Sequence, residues 1–144
     1  MKIRDIRKAL EALILPLVEG AKIMRADAPK PVVRPSFKID VLPVSVGAAC
    51  AGAREYEADV DIWYYPKSSD RPRDECDTVA EQLLDVLGEG FEACGVWLPI
   101  DDTIEVDTSQ GVLVAQFGIS WVETAAETGE YMETLNYNGE ELTT

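Results

Sequence analysis

The chain has 144 residues, with 13 Lys and Arg against 27 Asp and Glu and no histidine, so its net charge is −14. At 47% hydrophobic residues it has the composition of one globular domain and not of a disordered acidic tail. The lack of histidine excludes a Ser-His-Asp triad, a Cys-His pair and His-ligated zinc or haem, and no run reaches the ~18–20 apolar residues of a membrane span, so a soluble intracellular protein is expected.

Ile3, Ile6, Leu10, Leu13, Ile14 and Leu17 recur at steps of three and four, which predicts an amphipathic helix kinked or ended by Pro16. Ala26 to Pro35, with Pro29, Pro31 and Pro35, reads as an extended connector. Two strand patterns follow, Ser36–Val46 and Glu55–Tyr65, separated by the small-residue stretch Gly47–Ala53, read as a hairpin loop. In the second strand Tyr56, Ala58, Val60, Ile62 and Tyr64 alternate with Glu57, Asp59, Asp61, Trp63 and Tyr65. Pro66 ends that strand, and Ser69 and Asp70 are candidate caps for a helix carrying the stripe Cys76, Val79, Ala80, Leu83, Leu84 and Leu87. Gly88 and Gly90 stop it, and a short apolar piece, Phe91 to Leu98, leads into Pro99. A final hairpin, Thr103–Thr108 and Val112–Val122, turns at Ser109-Gln110-Gly111 and points Leu113, Ala115, Phe117, Ile119 and Trp121 one way. The expected architecture is α+β, an antiparallel or mixed sheet of about four to five strands with two helices on one face. Residues 1–123 form the domain and 124–144 an acidic C-terminal tail, in which Tyr131, Met132, Leu135 and Tyr137 are the main large apolar groups.

No constellation carries chemistry. Cys50, Cys76 and Cys94 form neither a disulfide framework nor a metal knuckle and are expected to be small buried hydrophobes. Asp101, Asp102, Glu105 and Asp107 crowd one region without the spacing of a calcium loop. Glu57, Asp59 and Asp61 share a strand face at roughly 6–7 Å intervals, a spacing open to a divalent ion but more common on a wet or pore-lining face. Trp63 and Tyr65 beside them are interface candidates, and so are Arg71 and Arg73. No catalytic, cofactor-binding or metal residue is assigned, and no cofactor is expected.

The charge is unevenly placed. All 13 basic residues precede Asp74 beside 10 acidic ones, whereas Asp74 to Thr144 holds 17 acidic residues and no Lys or Arg. The halves therefore carry +3 and −17, a split that suggests an interaction tail or a polar surface used in association and argues against DNA recognition by clustered cations.

The order of elements resembles the tail terminator (tail-completion) proteins of tailed bacteriophages and prophages. The resemblance lies in the N-terminal helix, the strand 35–41, the strand ending Tyr64-Tyr65-Pro66, the helix with Val79-Ala80-Glu81-Gln82-Leu83-Leu84, the closing hairpin and Met132-Glu133-Thr134-Leu135. It implies a structural protein with no enzymatic activity. Such a protein forms a usually hexameric ring on the head-proximal end of the tail tube, stops tube polymerisation and offers the surface to which the head joins. Its implied partners are further copies of itself, the major tail tube protein and a head-completion or connector protein, with no membrane, and DNA passes through without sequence-specific binding. Its implied place is the head-proximal end of the virion tail, after assembly in the host cytoplasm. Tyr131, Met132 and Leu135 would lie across a neighbour or on the tube. Another head–tail joining or neck protein is the nearest alternative reading. An acidic DNA mimic and a small metal-dependent enzyme are alternatives from other classes.

Overall fold

The computed structural model describes residues 2–25, 33–68 and 70–124. Helix α1 spans Ile3–Ile14 and runs into a 3-10 turn at Leu15–Leu17, where Pro16 removes a backbone donor. The Asp5 carboxylate accepts the Lys2 N–H at 3.0 Å and so satisfies one donor at the helix start. Ile6, Leu10 and Ile14 on its inner stripe are wholly buried, worth about 1.5–3 kcal/mol each. Strand β1 is Lys22–Met24, β2 Ser36–Cys50 and β3 Ala53–Tyr65; helix α2 is Pro72–Leu87; then come β4 Gly90–Ala93, β5 Val96–Ser109 and β6 Val112–Thr124.

One six-stranded sheet results, in the order β1-β2-β3-β6-β5-β4. Expecting four to five strands undercounted it, and the sheet is mixed because β1 pairs parallel with Ser36–Lys38 of β2. Three residues are too short for any periodicity to show, so β1 was hidden in the sequence. The short apolar piece before Pro99 divides into β4 and the start of β5 at a tight turn, Cys94-Gly95, where both residues take positive φ. β5 is therefore much longer than 103–108. It tolerates Asp101 to Glu105 through a bulge, where four steps on β5 oppose two on β6.

The small-residue stretch is not a loop. β2 continues to Cys50 and β3 begins at Ala53, leaving a two-residue turn, Ala51-Gly52, with Gly52 at φ 77°. Likewise Ser109 pairs with Val112, so the last turn is Gln110-Gly111 alone. α2 starts four residues earlier than Cys76, with Pro72 at its first position and Arg71 as its N-cap, because proline fits the first turn of a helix and biases the residue before it away from helical geometry. Asp70 is thus not the cap, and Ser69 lies outside the described residues. Gly88, at φ 52°, ends the helix.

Both helices lie on the face lined by Phe37, Ile39, Val60, Ile62, Tyr64, Leu113, Ala115 and Phe117, as the alternation of β3 and β6 predicts. α1 packs on β2 and also on β4 at the opposite edge, whereas α2 packs on β5 and β6. The sheet therefore curls around α1 and encloses a single core cluster. Of the cysteines only Cys76 is buried; Cys50 and Cys94 are exposed because both lie next to turns.

Candidate functional site

The sheet face turned away from the helices is uncovered by any described element. Its residues come into rows through the register. Asp40, Asp61, Gln116 and Glu105 form one row, and Leu42, Asp59 and Gly118 the next. Glu57 stands beyond them, its Oε1 accepting the Ser45 hydroxyl at 3.0 Å. Lys38 and Trp63 face each other on the other side, the Lys38 Nζ lying 4.5 Å from the ring centroid. The structure thus brings Glu57, Asp59, Asp61 and Trp63 onto one surface. Asp40, Glu105 and Gln116, which sequence reasoning did not join to them, complete it; only strand pairing could reveal this.

Asp40 and Asp61 are directly opposed like charges, an arrangement that costs a sheet stability. Burial raises the pKa of Asp61, a hydrogen bond from Gln116 opposes the rise, and the charges of Asp40 and Asp59 add to it. Among the described residues no group of three or more Asp, Glu, His or Cys has metal-holding geometry. What the face does physically is repel anions.

A second surface is the arm formed by the far halves of β2 and β3 with the end of β6. From Leu42 to Cys50 every residue of β2 is exposed, and Leu42, Val44 and Val46 are each more than half exposed. Pro43 and a bulge between Pro43 and Ser45 blunt this edge against indiscriminate strand pairing. Tyr56 stacks on Trp121 at 5.4 Å, and the Trp121 indole donates to Glu123, so the base of the arm is rigid. The expected strand already held Leu42, Val44 and Val46, but the glycine and alanines that follow read as a loop, which hid the tip of the arm.

The other candidates fall elsewhere. Tyr65 ends β3, half-buried. Arg71 and Arg73 are exposed at the start of α2, Arg73 beside Asp77 at 3.7 Å, a surface pair of little energetic weight. Tyr131, Met132 and Leu135 lie outside the described residues.

A partly buried polar contact ties α2 to the sheet. The Tyr64 hydroxyl donates to the Glu75 carboxylate, which also accepts the Lys67 N–H at 2.6 Å and the Ser68 N–H at 3.2 Å. Burial alone would raise the Glu75 pKa, but the bonds from Tyr64, Lys67 and Ser68 outweigh it and the net shift is downward. Burial first, and then the bond to Glu75, push the Tyr64 phenol above its ordinary range. This contact fixes where β3 meets α2.

The division of charge at Asp74 does not become a division of the surface. β3 from the first half lies beside β6 from the second, and the acidic face draws on both. Acidic side chains gather on the open face and along α2, whereas Arg4, Arg7, Lys8 and Arg25 gather around α1 and β1.

A mixed, curled sheet with two inner helices, an acidic outer face and an apolar arm defines an α+β protein whose distinctive surfaces are open ones. The family model for phage tail terminator protein matches residues 5–130, and the chain belongs to that family. Its role is accordingly a structural one in the phage tail. No curated protein matches. One solved structure is 12% identical, with a TM-score of 0.47 over 86% of this chain and 96% of its own.

Proposed function

We propose that this tail terminator assembles as a ring, of hexameric type, on the head-proximal end of the tail tube, stops tube growth and presents the surface that receives the head. The observation that carries this reading is the uncovered acidic face of a chain that belongs to the terminator family. A conduit for DNA needs a wall that does not hold phosphates, and a face with Asp40, Glu57, Asp59, Asp61 and Glu105 repels them. A closed ring uses one patch against a different patch of the neighbour. The apolar arm at Leu42, Val44 and Val46 supplies such a patch, with Trp63, Tyr65, Arg71 and Arg73 as further contacts. The reading includes the tube protein and a head-completion protein as partners on the two sides of the ring, with residues 1–123 as the assembling domain and 124–144 as an acidic tail.

Deletion of the gene in its phage, with complementation by the wild-type chain, tests the proposal. Tails of uncontrolled length and unjoined heads are expected by electron microscopy without the gene, and normal virions with it. Tails of normal length joined to heads in the deletion would refute it.

A further inference from the structure

Six of the eight exposed large hydrophobic side chains among the described residues gather in two places. Leu42, Val44, Val46 and Val122 stand on the arm, and Val96 and Trp97 stand on β5 where it turns back from β4. Beside Trp97 an open groove of about 400 Å³ runs along the β4 edge, lined by Ala9, Ala12 and Leu13 of α1, Val86 of α2, and Phe91. Its one charged lining residue among those described is Glu92. The Trp97 ring sits over Gly90, 2.8 Å from where a Cβ would stand, yet the residue is 59% exposed; large aromatics so placed anchor protein interfaces. On the arm, β2 carries no charged residue from Leu42 to Cys50. Its free edge is a wedge, because Leu42 lies opposite Asp59 on the outer face and Val46 opposite Tyr56 on the inner one. Arg54, the arm's one cation, stands on the inner face opposite Ala48, whereas Glu55 and Glu57 alternate onto the outer face. Its register neighbour Glu123 accepts the Trp121 indole, and neither Arg54 nor Glu92 has an ion-pair partner among the described residues. An apolar wedge with one cation complements an apolar groove with one carboxylate.

We infer that the arm of one copy seats in the α1–β4 groove of a second copy, with Leu42, Val44 and Val46 against Trp97, Leu13 and Ala12 and with Arg54 beside Glu92; the inference rests on the proposed ring and names the two patches that close it. A chain does not fill its own groove. β3, β6 and β5 separate β2 from β4, about 19 Å across the sheet at about 4.8 Å per strand, and pairing along β3 and β6 stops the arm from folding over them. Both patches accordingly stay exposed in the single chain. The acidic face selects a second copy over a different protein. A channel lined by that face requires neighbours to meet through the two edges of their sheets, and the arm and the groove are the apolar parts of those two edges. A heterologous pair with one member at each edge repeats from copy to copy and closes a ring without a third surface. Pro43 lacks an N–H and the bulge at Val44 interrupts the ladder, so side chains make the contact and not a shared run of strand pairing.

Photocrosslinking in assembled tails tests this on the full chain. p-Benzoylphenylalanine, which on irradiation inserts its carbonyl carbon into a touching C–H bond, replaces Val44 in the copy that complements the gene deletion. A product of twice the chain mass is expected, and its digest should join position 44 to peptides holding Ala9–Leu13 or Trp97. The same probe in place of the exposed Ala12 reads the contact from the groove side and should join to peptides holding Leu42–Val46. Arg54→Glu should lower the yield of the double-mass product about fivefold, as an ion pair turned into a like-charge contact would. Adding Glu92→Arg should restore it, which a merely damaged arm would not allow. Double-mass products that join the probe to any other part of the chain, arm to arm included, overturn the inference and leave the ring standing. Products formed only with the tube protein or a head-completion protein overturn it and make the arm their docking site. Assembled tails that give no double-mass product from either position overturn it as well, and the tail-length assay then judges the ring separately.

Discussion

Replacing Tyr64→Phe tests whether the contact between β3 and α2 stabilises the fold. Tyr64 has no solvent-exposed surface, and its hydroxyl donates to a carboxylate that also holds the amides of Lys67 and Ser68. Phenylalanine keeps the ring and its tilted contact with Phe37, centroids 4.8 Å apart, so the change isolates one bond. A hydrogen bond to a charged group is worth about 1.5–3 kcal/mol, and we expect a loss of about 2 kcal/mol. With an unfolding entropy near 0.3 kcal/mol/K for this length, Tm should fall by about 7 °C. Glu75→Gln keeps an acceptor oxygen but loses the charge, so it should also destabilise, and the double variant should cost less than the two losses added, because both changes weaken the same charge-assisted bond. The pH dependence follows from the two shifts. The Glu75 pKa is lowered on folding, so its contribution is present above the ordinary glutamate value of 4.5 and is lost as pH falls through the folded value. The Tyr64 pKa is raised, so its contribution is present below the ordinary value of 10.0 and is lost as pH rises beyond it. Urea denaturation at several pH values measures both. Additive losses in the double variant, or a wild-type and Tyr64→Phe difference that persists unchanged at pH values below the glutamate range, would show the reasoning to be wrong.

Asp61→Asn should stabilise the isolated chain by about 0.2–1 kcal/mol, since it removes the repulsion from Asp40 and keeps an acceptor for Gln116; a lower Tm would contradict this. The gain should be absent in acid, where protonation of a carboxyl with a raised pKa has already relieved the repulsion, and full at neutral pH. Gly90→Ala should cost about 1–3 kcal/mol, because the added Cβ would lie 2.5 Å from the Leu98 carbonyl oxygen and 2.8 Å from the Trp97 ring. Chemical denaturation with tryptophan fluorescence reads both the loss and the displaced ring. Val44→Thr with Val46→Thr should leave Tm within about 1–2 °C, as surface changes do, while lowering assembly in the complementation assay; unchanged tail lengths would remove the arm from the interface.

Several features were fixed by short-range pattern. The stripe Ile6, Leu10 and Ile14, the alternation of Ala58, Val60, Ile62 and Tyr64, and that of Leu113 to Trp121 each follow from a period of 3.6 or 2, and each became core. The order of those elements was sufficient for the resemblance to tail terminators, and the family match agrees with it. Pro16, Gly88 and Gly111 marked ends and turns because their backbone limits are local.

Other features depended on pairing between distant segments, which no local pattern encodes. β1 exists because Lys22–Met24 finds the edge of β2, and the arm exists because Gly47 to Cys50 finds a partner in Ala53 to Glu55. Asp40, Asp61, Gln116 and Glu105 become one row only when three antiparallel pairings are in register, from positions up to 76 residues apart. The charge division is the sharpest case. The sequence determined that every cation precedes Asp74, but the sheet laid β3 beside β6 and so interleaved the halves. Electrostatics acts through space and not along the chain, and it was therefore the fold that decided which charges form an acidic face and which a basic groove.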